Sequence, residues 1–292
     1  ASGGETKKLI QELSKAGSLQ TVQAGLSDSE MRELMNLVKS EGSPQRGEDI
    51  YRRSQLLCQS CHAIAGAGGA IGPDLVSLGS SAPIDYIVDS MLEPAKKIKE
   101  GYHTTVVTTK QGEVITGGLV RDSDSELVLR MVDGSFKNIK TSVIEKKEIS
   151  PVSLMPPGLT ASLRKDEFID LMSFLSALGK EGEYKVPSGR QVRRWRVLPK
   201  DSRTSGLIKT KGIQFTLNGK NNLPWKPVYS YVDGGLPLAE MGINNGFNNR
   251  LSIAKFEIEV SVAGKIGIRL KNPKGLQLLT GGEMIEAKKN SS

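Results

Sequence analysis

The residues of this chain most suited to chemistry lie together in the pentapeptide CQSCH. Its two cysteines, Cys58 and Cys61, are the only ones among 292 residues, and one of the two histidines, His62, follows directly. A redox-active cysteine pair is typical of a thioredoxin-like setting, whereas this pair is predicted to follow a helix and precede a glycine-rich loop. A structural zinc site needs four ligands, and the second histidine, His103, has no ligand at a paired spacing. Neither interpretation explains the histidine after the second cysteine.

The pattern C-x-x-C-H also fits covalent haem attachment, in which two thiols add to vinyl groups as thioethers and the next histidine binds iron. The sequence therefore predicts one covalent haem c, with Cys58 and Cys61 as its anchors and His62 as the proximal iron ligand. A ligating histidine donates its other ring N–H to an acceptor. The carbonyl of Pro73, in the following GAIGPDL segment, is the candidate acceptor.

The second axial position of the iron is assigned to Met155, which lies in the sequence LMPPG. Two prolines stiffen this turn, whereas other methionines lie on predicted helix stripes or strands, where core packing is expected. His103 is the rival ligand, although it opens a predicted strand. With protein ligands on both sides the iron has no open position, so we expect an electron carrier rather than an enzyme. A labile Met155 would instead point to a haem peroxidase or sensor.

The elements that must position these residues are predicted from periodicity and end signals. Two short helices are expected within residues 5–41. A third helix, capped by Ser43, leads into CQSCH, and an amphipathic helix follows the glycine-rich loop. Residues 101–150 have β-branched runs separated by turn residues, which predict about five short strands in a small β-barrel or a curled sheet. Helical periodicity returns after the methionine turn, in KDEFIDLMSFLSALG.

These elements predict three domains. A helical segment covers residues 1–42, a haem-carrying domain covers residues 43–179 with residues 101–150 inserted, and a third domain covers residues 180–292. In the third domain, KFEIEVSVAGKIGIRL alternates apolar and polar residues on both sides of an Ala-Gly turn. This pattern predicts a hairpin with one buried face, and we interpret the region as a β-sandwich.

The motifs resemble those of class I c-type cytochromes: a helix with Gly47 and Tyr51, then CQSCH and GPDL, and SLMPPGL before a last helix. The sequence is more closely similar to the haem-binding domain family common in planctomycete and verrucomicrobial proteins, over residues 43–179. The resemblance implies a helical class I cytochrome c domain with an inserted β-segment. Together with the strand patterns of the insert and of the C-terminal region, it predicts a multidomain α+β fold class: a helical class I cytochrome c domain with a small inserted β-barrel-like segment, followed by a C-terminal β-sandwich. It also implies that the first and last helices cross closely, with Gly47 and Tyr51 against Phe174 or Leu175. Because such domains are often fused to others, a second hypothesis is a fragment of a larger oxidoreductase, in which the haem domain accepts electrons from a dehydrogenase.

The net charge of +8 is concentrated between residues 185 and 220. In that stretch a single acid, Asp201, faces a set of basic residues, namely Lys185, Arg190, Arg193, Arg194, Arg196, Lys200, Arg203, Lys209, Lys211 and Lys220. A basic face of this kind can dock an acidic redox partner protein, and the alternative, which the sequence favours, is an ordinary solvated surface. No nucleic-acid motif accompanies it, so nucleic acid is not an expected partner.

Two further expectations concern location and the C-terminal region. No stretch approaches the roughly 18 apolar residues that cross a bilayer, so no integral membrane segment is expected. Bacteria attach haem as thioethers outside the cytoplasmic membrane, which predicts a periplasmic or other extracytoplasmic protein. Trp195 and Trp225 are candidates for stacking on a carbohydrate or a protein partner, with burial in a core as the alternative.

Overall fold

The computed structural model describes residues 21–199, 201–217, 222–241, 252–270, 275–281 and 283–285. The first of the two helices predicted within residues 5–41 lies outside the described residues. The chain divides into two compact units. One comprises Ala1–Arg193 with Tyr231–Gly235, and the other comprises Arg194–Ser230 with Leu236–Ser292.

The first unit combines short helices with antiparallel strands. Its helices are α1 (Asp28–Ser40), α2 (Pro44–Tyr51), α3 (Cys58–Cys61), α4 (Leu78–Ser81), α5 (Ile84–Leu92) and α6 (Lys165–Ala177). Its strands are β1 (Ala63–Ile64), β2 (Ala67–Gly68), β3 (His103–Thr109), β4 (Val114–Asp122), β5 (Glu126–Arg130), β6 (Phe136–Lys140) and β7 (Ile144–Ser153). Short 3-10 turns cover Ser54–Leu56 and Thr141–Val143.

Capping residues explain where the first two helices begin. The backbone N–H of Ser27 donates to the Glu30 carboxylate over 2.8 Å, and the Ser27 hydroxyl accepts from the Glu30 N–H, which makes a capping box for α1. The Ser43 side chain accepts from the N–H of Arg46, and Pro44 occupies the first helical position of α2. The second helix predicted within residues 5–41 and the helix capped by Ser43 are thus both confirmed.

Helices α2 and α6 cross at Gly47. A Cβ at this position would lie 2.1 Å from the carbonyl oxygen of Asp170 and 2.5 Å from Cβ of Phe174, so the backbones approach this closely only at a glycine. The ring centroids of Tyr51 and Phe174 are 5.6 Å apart. The buried Asp170 carboxylate accepts two hydrogen bonds from Arg46, of 2.6 and 2.8 Å. The expected contact of Gly47 and Tyr51 with Phe174 is confirmed.

The strands predicted for residues 101–150 form one five-stranded antiparallel sheet, in the order β6-β5-β4-β3-β7. Its core consists of Val107, Ile115, Leu127, Leu129 and Ile139. The predicted barrel-like closure is wrong, because β7 pairs with β3 and leaves β6 and β7 as the two edges of an open sheet.

The prediction of a helical cytochrome c domain is also wrong. The described chain mixes α-helices with four small antiparallel sheets, and its longest helices, α1 and α6, have 13 residues each. The apolar stripes that suggested a helical domain belong to short helices, and the strands between β3 and β7 form a separate core of their own. The motifs therefore specify local turns and caps but do not set the proportion of helix to strand.

The second unit is not the predicted β-sandwich. Its described residues form a three-stranded sheet in the order β10-β8-β9, two helices and a separate two-stranded hairpin. Its elements are β8 (Arg194–Val197), α7 (Ser202–Lys211), α8 (Ile213–Leu217), β9 (Lys226–Tyr229), β10 (Ala254–Lys255), β11 (Leu278–Thr280) and β12 (Glu283–Ile285). Residues 256–270, predicted as a hairpin, contain no strand, and apolar side chains of this segment are exposed, Val262 to 79 %. Alternating apolar residues stabilise a hairpin only when a second layer covers them, and here Ile258, Val260, Ile266 and Ile268 are exposed as well.

Candidate functional site

The cysteines and His62 are presented by a single helical turn with a defined start and end. Leu57 adopts the left-handed conformation, with φ 58° and ψ 2°, and directly precedes α3. The N–H of His62 donates to the carbonyl of Cys58 over 2.8 Å, and His62 itself is extended. A left-handed residue other than glycine costs of the order of 1 kcal/mol, so the surrounding structure must hold Leu57 in this conformation. The two cysteines therefore lie one helical turn apart, and His62 is the first residue after this turn.

The His62 ring is held in one orientation by two neighbours. Its Nδ1 lies 2.8 Å from the carbonyl oxygen of Pro73, the acceptor suggested by the sequence. A Cβ on Gly72 would lie 2.3 Å from Cε1 and 2.6 Å from Nδ1 of the ring, so a glycine lets the loop lie against it. Burial lowers the pKa of His62, which favours the neutral ring near neutral pH.

The loop after His62 is held by the carboxylate of Asp74. Asp74 accepts hydrogen bonds from the N–H groups of Ala65, Gly66 and Val76, with lengths of 2.8–2.9 Å. Sequence reasoning noted this aspartate only as part of GPDL. An aspartate that can accept from the N–H two residues later is a recognisable turn signal, but its bonds to residues 65 and 66 depend on how the loop folds back.

The two thiols are both free and both shielded. Cys58 is 8 % exposed, and burial raises its pKa to about 11. Burial also raises the pKa of the half-buried Cys61 thiol. Redox-active cysteine pairs have a lowered thiol pKa, because the thiolate is their nucleophile. The arrangement therefore disfavours thiol–disulfide exchange.

Tyr51 connects α2 to the His62 backbone, which sequence reasoning missed. Its hydroxyl donates to the carbonyl oxygen of His62 over 2.9 Å, and its ring is almost completely buried. Burial raises the pKa of Tyr51 well above its ordinary value, so the hydroxyl keeps its proton and remains a donor. Helix α2, which crosses α6, therefore also holds the backbone of His62 in place.

The structure places the two candidate distal ligands, Met155 and His103, at one end of the five-stranded sheet. The backbone N–H of Met155 donates to the hydroxyl of Ser153, the last residue of β7, over 3.1 Å. Met155 is half-buried and packs against the core cluster that includes Cys58. His103 opens β3 and pairs directly with Ser153. The assignment of Met155 as the distal ligand stays a prediction.

Of the basic residues that the structure describes in this segment, one is buried, and Lys200 and Lys220 lie outside the described residues. Arg193 is buried and donates to the carbonyls of Val232 and Tyr231 over 3.1 and 3.2 Å, so it serves packing rather than docking. The described basic residues that are exposed are Lys185, Arg190, Arg194, Arg196, Arg203, Lys209 and Lys211. Docking of a redox partner on these residues stays a prediction.

The two tryptophans of the second unit are both engaged by neighbouring side chains. The indole N–H of Trp195 donates to the Ser230 hydroxyl over 3.1 Å, and its ring meets that of Phe256 edge to face at 4.9 Å. The Lys255 ammonium lies 4.6 Å from the centre of the half-buried Trp225 ring. Binding of a carbohydrate or a protein by this region stays a prediction.

The chain matches no protein-family model, and no curated protein matches it. Within the described ranges no helix is both long and apolar enough to cross a bilayer. The described residues also contain no group of three or more His, Cys, Asp or Glu side chains arranged to hold a metal ion by themselves.

Proposed function

We propose that this chain carries one haem c, bound through Cys58 and Cys61 and ligated by His62, and that it transfers electrons. The observation that carries the proposal is the 2.8 Å contact between Nδ1 of His62 and the carbonyl oxygen of Pro73. A carbonyl can only accept, so Nδ1 holds the proton, and in the neutral ring Nε2 keeps its lone pair. That lone pair is what an iron ligand requires.

The surrounding residues fit such a group. Cys58 and Cys61 lie one helical turn apart and directly precede His62, which is the C-x-x-C-H spacing of covalent haem attachment. Gly72 lies flat against the imidazole, and Asp74 and Tyr51 hold the backbone on either side of it. A bound haem supplies one-electron chemistry at its iron. The chain fixes the histidine tautomer and shields the ring from water.

Met155 is our assignment for the distal ligand, with His103 as the alternative. It packs on the same core cluster as Cys58, and a turn of two prolines follows it. Ligation by a histidine and a methionine leaves no open position on the iron, which supports a carrier over an enzyme. Thioether attachment assigns the protein to an extracytoplasmic compartment in bacteria, where the exposed basic residues of the second unit would dock a redox partner.

Optical spectra test this function. The chain is exported in a bacterial strain that attaches haem, and the oxidised and reduced spectra of wild type and Met155→Ala are compared. Met284→Ala is the matched control, because Met284 is 61 % exposed in β12. We expect the ferric iron–thioether band in wild type and in the control, and its loss in Met155→Ala. An unchanged spectrum in Met155→Ala contradicts the distal assignment. Rapid carbon monoxide binding by the ferrous wild type contradicts the carrier function and favours a peroxidase or sensor.

A further inference from the structure

A short turn of the C-terminal half of the chain is inserted into the first unit. Residues Tyr231–Gly235 belong to that unit, whereas the residues directly before and after them belong to the second. The turn is closed by hydrogen bonds of its own. The Tyr231 N–H donates to the Gly235 carbonyl and the Gly234 N–H donates to the Tyr231 carbonyl, each over 2.9 Å. Gly234 has a φ of 88°, which glycine adopts without strain. The turn can therefore leave the first unit without breaking its internal bonds.

Val232 is the one residue of the turn that is buried. Its side chain is 2 % exposed and belongs to the core cluster that includes Tyr51 and Cys58. The next residue, Asp233, is exposed and accepts a hydrogen bond from the Gly235 N–H over 2.6 Å. A segment attached through a single buried side chain can open while the rest of its unit stays folded.

Ionisable side chains hold the backbone on both sides of Val232. The Glu48 carboxyl group, on α2, accepts from the Val232 N–H over 2.8 Å. Arg193 donates to the carbonyls of Val232 and Tyr231 over 3.1 and 3.2 Å. Glu48 and Arg193 are each 9 % exposed, and the Nε of Arg193 is buried without a partner among the described residues. The guanidinium of Arg52 lies 4.5 Å from the centre of the Tyr231 ring. The turn is thus fastened by one carboxyl group and two guanidinium groups.

Glu48 is the member of this set that changes charge in the ordinary pH range, because arginine keeps its proton. The charged or titratable groups around it are Asp49, Arg52, Tyr184, Arg193 and Asp233. Burial raises the pKa of Glu48, and the two nearby aspartates add to the rise. The Val232 N–H and the two arginines act in the opposite direction without outweighing burial. The closed turn therefore binds a proton at Glu48 more tightly than an open turn does.

From this arrangement we infer that the Tyr231–Gly235 turn is a pH-sensitive latch, which is closed on α2 while Glu48 is protonated and opens when Glu48 loses its proton. In the open state the carboxyl group is hydrated and its pKa returns to the ordinary value of 4.5. Opening then releases a proton, so the equilibrium constant for opening rises above that pH by up to about tenfold per pH unit, until Glu48 of the closed form is also ionised. Release of Val232 exposes the core beside Tyr51 and Cys58. The latch does not depend on haem, so it stands or fails separately from the proposed function.

Hydrogen exchange of the Val232 amide, followed by NMR on the full chain, tests the latch. This amide donates to Glu48 and is freed on opening. Its protection, corrected for the intrinsic effect of pH, is compared with that of the amides in α6. We expect Val232 to be less protected than α6 and insensitive to low denaturant, because opening exposes little surface. We also expect its protection to fall as the pH is raised from 4.5. Equal protection and equal denaturant dependence at Val232 and in α6 would overturn the inference, because the turn would then open only on global unfolding.

Two substitutions in α2 assign the pH dependence. Glu48→Gln keeps an acceptor for the Val232 N–H but does not ionise, so the protection of Val232 should become independent of pH. Asp49→Asn is the matched control, because Asp49 is the exposed neighbour of Glu48 in the same helix, and it should retain the pH dependence of the wild type. The same pH dependence in Glu48→Gln as in Asp49→Asn would overturn the inference.

A substitution outside α2 tests the latch without changing Glu48. Arg193→Gln removes the donors to two carbonyls of the turn, so Val232 should lose protection at every pH while α6 keeps its own. Arg190→Gln is the control, because Arg190 is an exposed arginine three residues earlier. Unchanged protection of Val232 in Arg193→Gln, or a parallel loss in α6, would show that the turn is not a separable latch.

Discussion

Replacing Gly72 by alanine tests whether the His62 ring must lie where the structure has it. The added Cβ would be 2.3 Å from Cε1, 2.6 Å from Nδ1 and 2.9 Å from Nε2 of the ring. Carbon atoms in contact are about 3.5–4.0 Å apart, so the ring must move by about 1 Å or more. Gly72 is not among the residues with positive φ, so the backbone tolerates alanine and the perturbation is purely steric.

The size of the effect follows from two losses. A displacement of this size breaks the 2.8 Å contact of Nδ1 with Pro73, which removes about 1 kcal/mol. Overpacking around the displaced ring costs a further 1–3 kcal/mol, roughly. We therefore expect Gly72→Ala to destabilise the loop around His62 by about 2–4 kcal/mol.

Hydrogen exchange of a peptide covering residues 57–76 is the suitable assay. Tryptophan fluorescence would miss this loop, because Trp195 and Trp225 both belong to the second unit. Gly189→Ala is the control, since Gly189 is exposed and a Cβ there meets no atom within 4 Å. Faster exchange is expected only in Gly72→Ala. Equal protection in the two variants would refute the steric reasoning.

Three further substitutions test other contacts of the first unit. Asp74→Asn should destabilise the loop after His62 by about 1–2 kcal/mol, because the amide keeps only one acceptor oxygen for three backbone N–H groups; unchanged exchange of those amides would contradict this. Tyr51→Phe should cost about 1–2 kcal/mol through loss of the 2.9 Å bond to the His62 carbonyl, and denaturant unfolding followed by far-UV circular dichroism measures it. Burial raises the pKa of Glu48, so the folded chain keeps this proton to higher pH than the unfolded chain does, and stability should fall as pH rises from the ordinary value of 4.5 through the folded pKa. Glu48→Gln keeps an acceptor for the Val232 N–H and should remove this loss of stability at higher pH. If the variant is no more stable than wild type at neutral pH, the raised pKa of Glu48 is contradicted.

The sequence was most informative where short-range chemistry decides the structure. Ser43 before Pro44 predicts the start of α2, and the need of a ligating histidine for an acceptor leads to the carbonyl of Pro73, which the structure places 2.8 Å from Nδ1 of His62. The bond that Tyr51 donates to His62 and those that Asp74 accepts from Ala65 and Gly66 could not be predicted, because each joins positions that meet only after the chain has folded back. The contact of Arg130 with Ala70 spans 60 positions and depends on where an entire sheet lies.

The errors arose where a local pattern was extended to a layer of the fold. The alternation from Phe256 to Leu270 is compatible with a hairpin, but it carries no information on whether a second layer covers the apolar face. In the structure Ile258, Val260, Val262, Ile266 and Ile268 are exposed, and the described residues 256–270 contain no strand. Similarly, β-branched runs predict the strands between residues 101 and 150. Closure into a barrel would require the two edge strands of the sheet, β6 and β7, to pair with each other, and sequence periodicity does not encode that pairing.

Mass spectrometry of the peptide that contains CQSCH tests the central claim most directly. The chain is exported in a strain that attaches haem, purified, digested and analysed beside the Cys58→Ala/Cys61→Ala variant. We predict that the wild-type peptide carries the mass of one haem, that the haem resists acidic acetone extraction, and that fragment ions place it on both cysteines. A wild-type peptide with two free thiols, or with a disulfide between Cys58 and Cys61, would contradict the account.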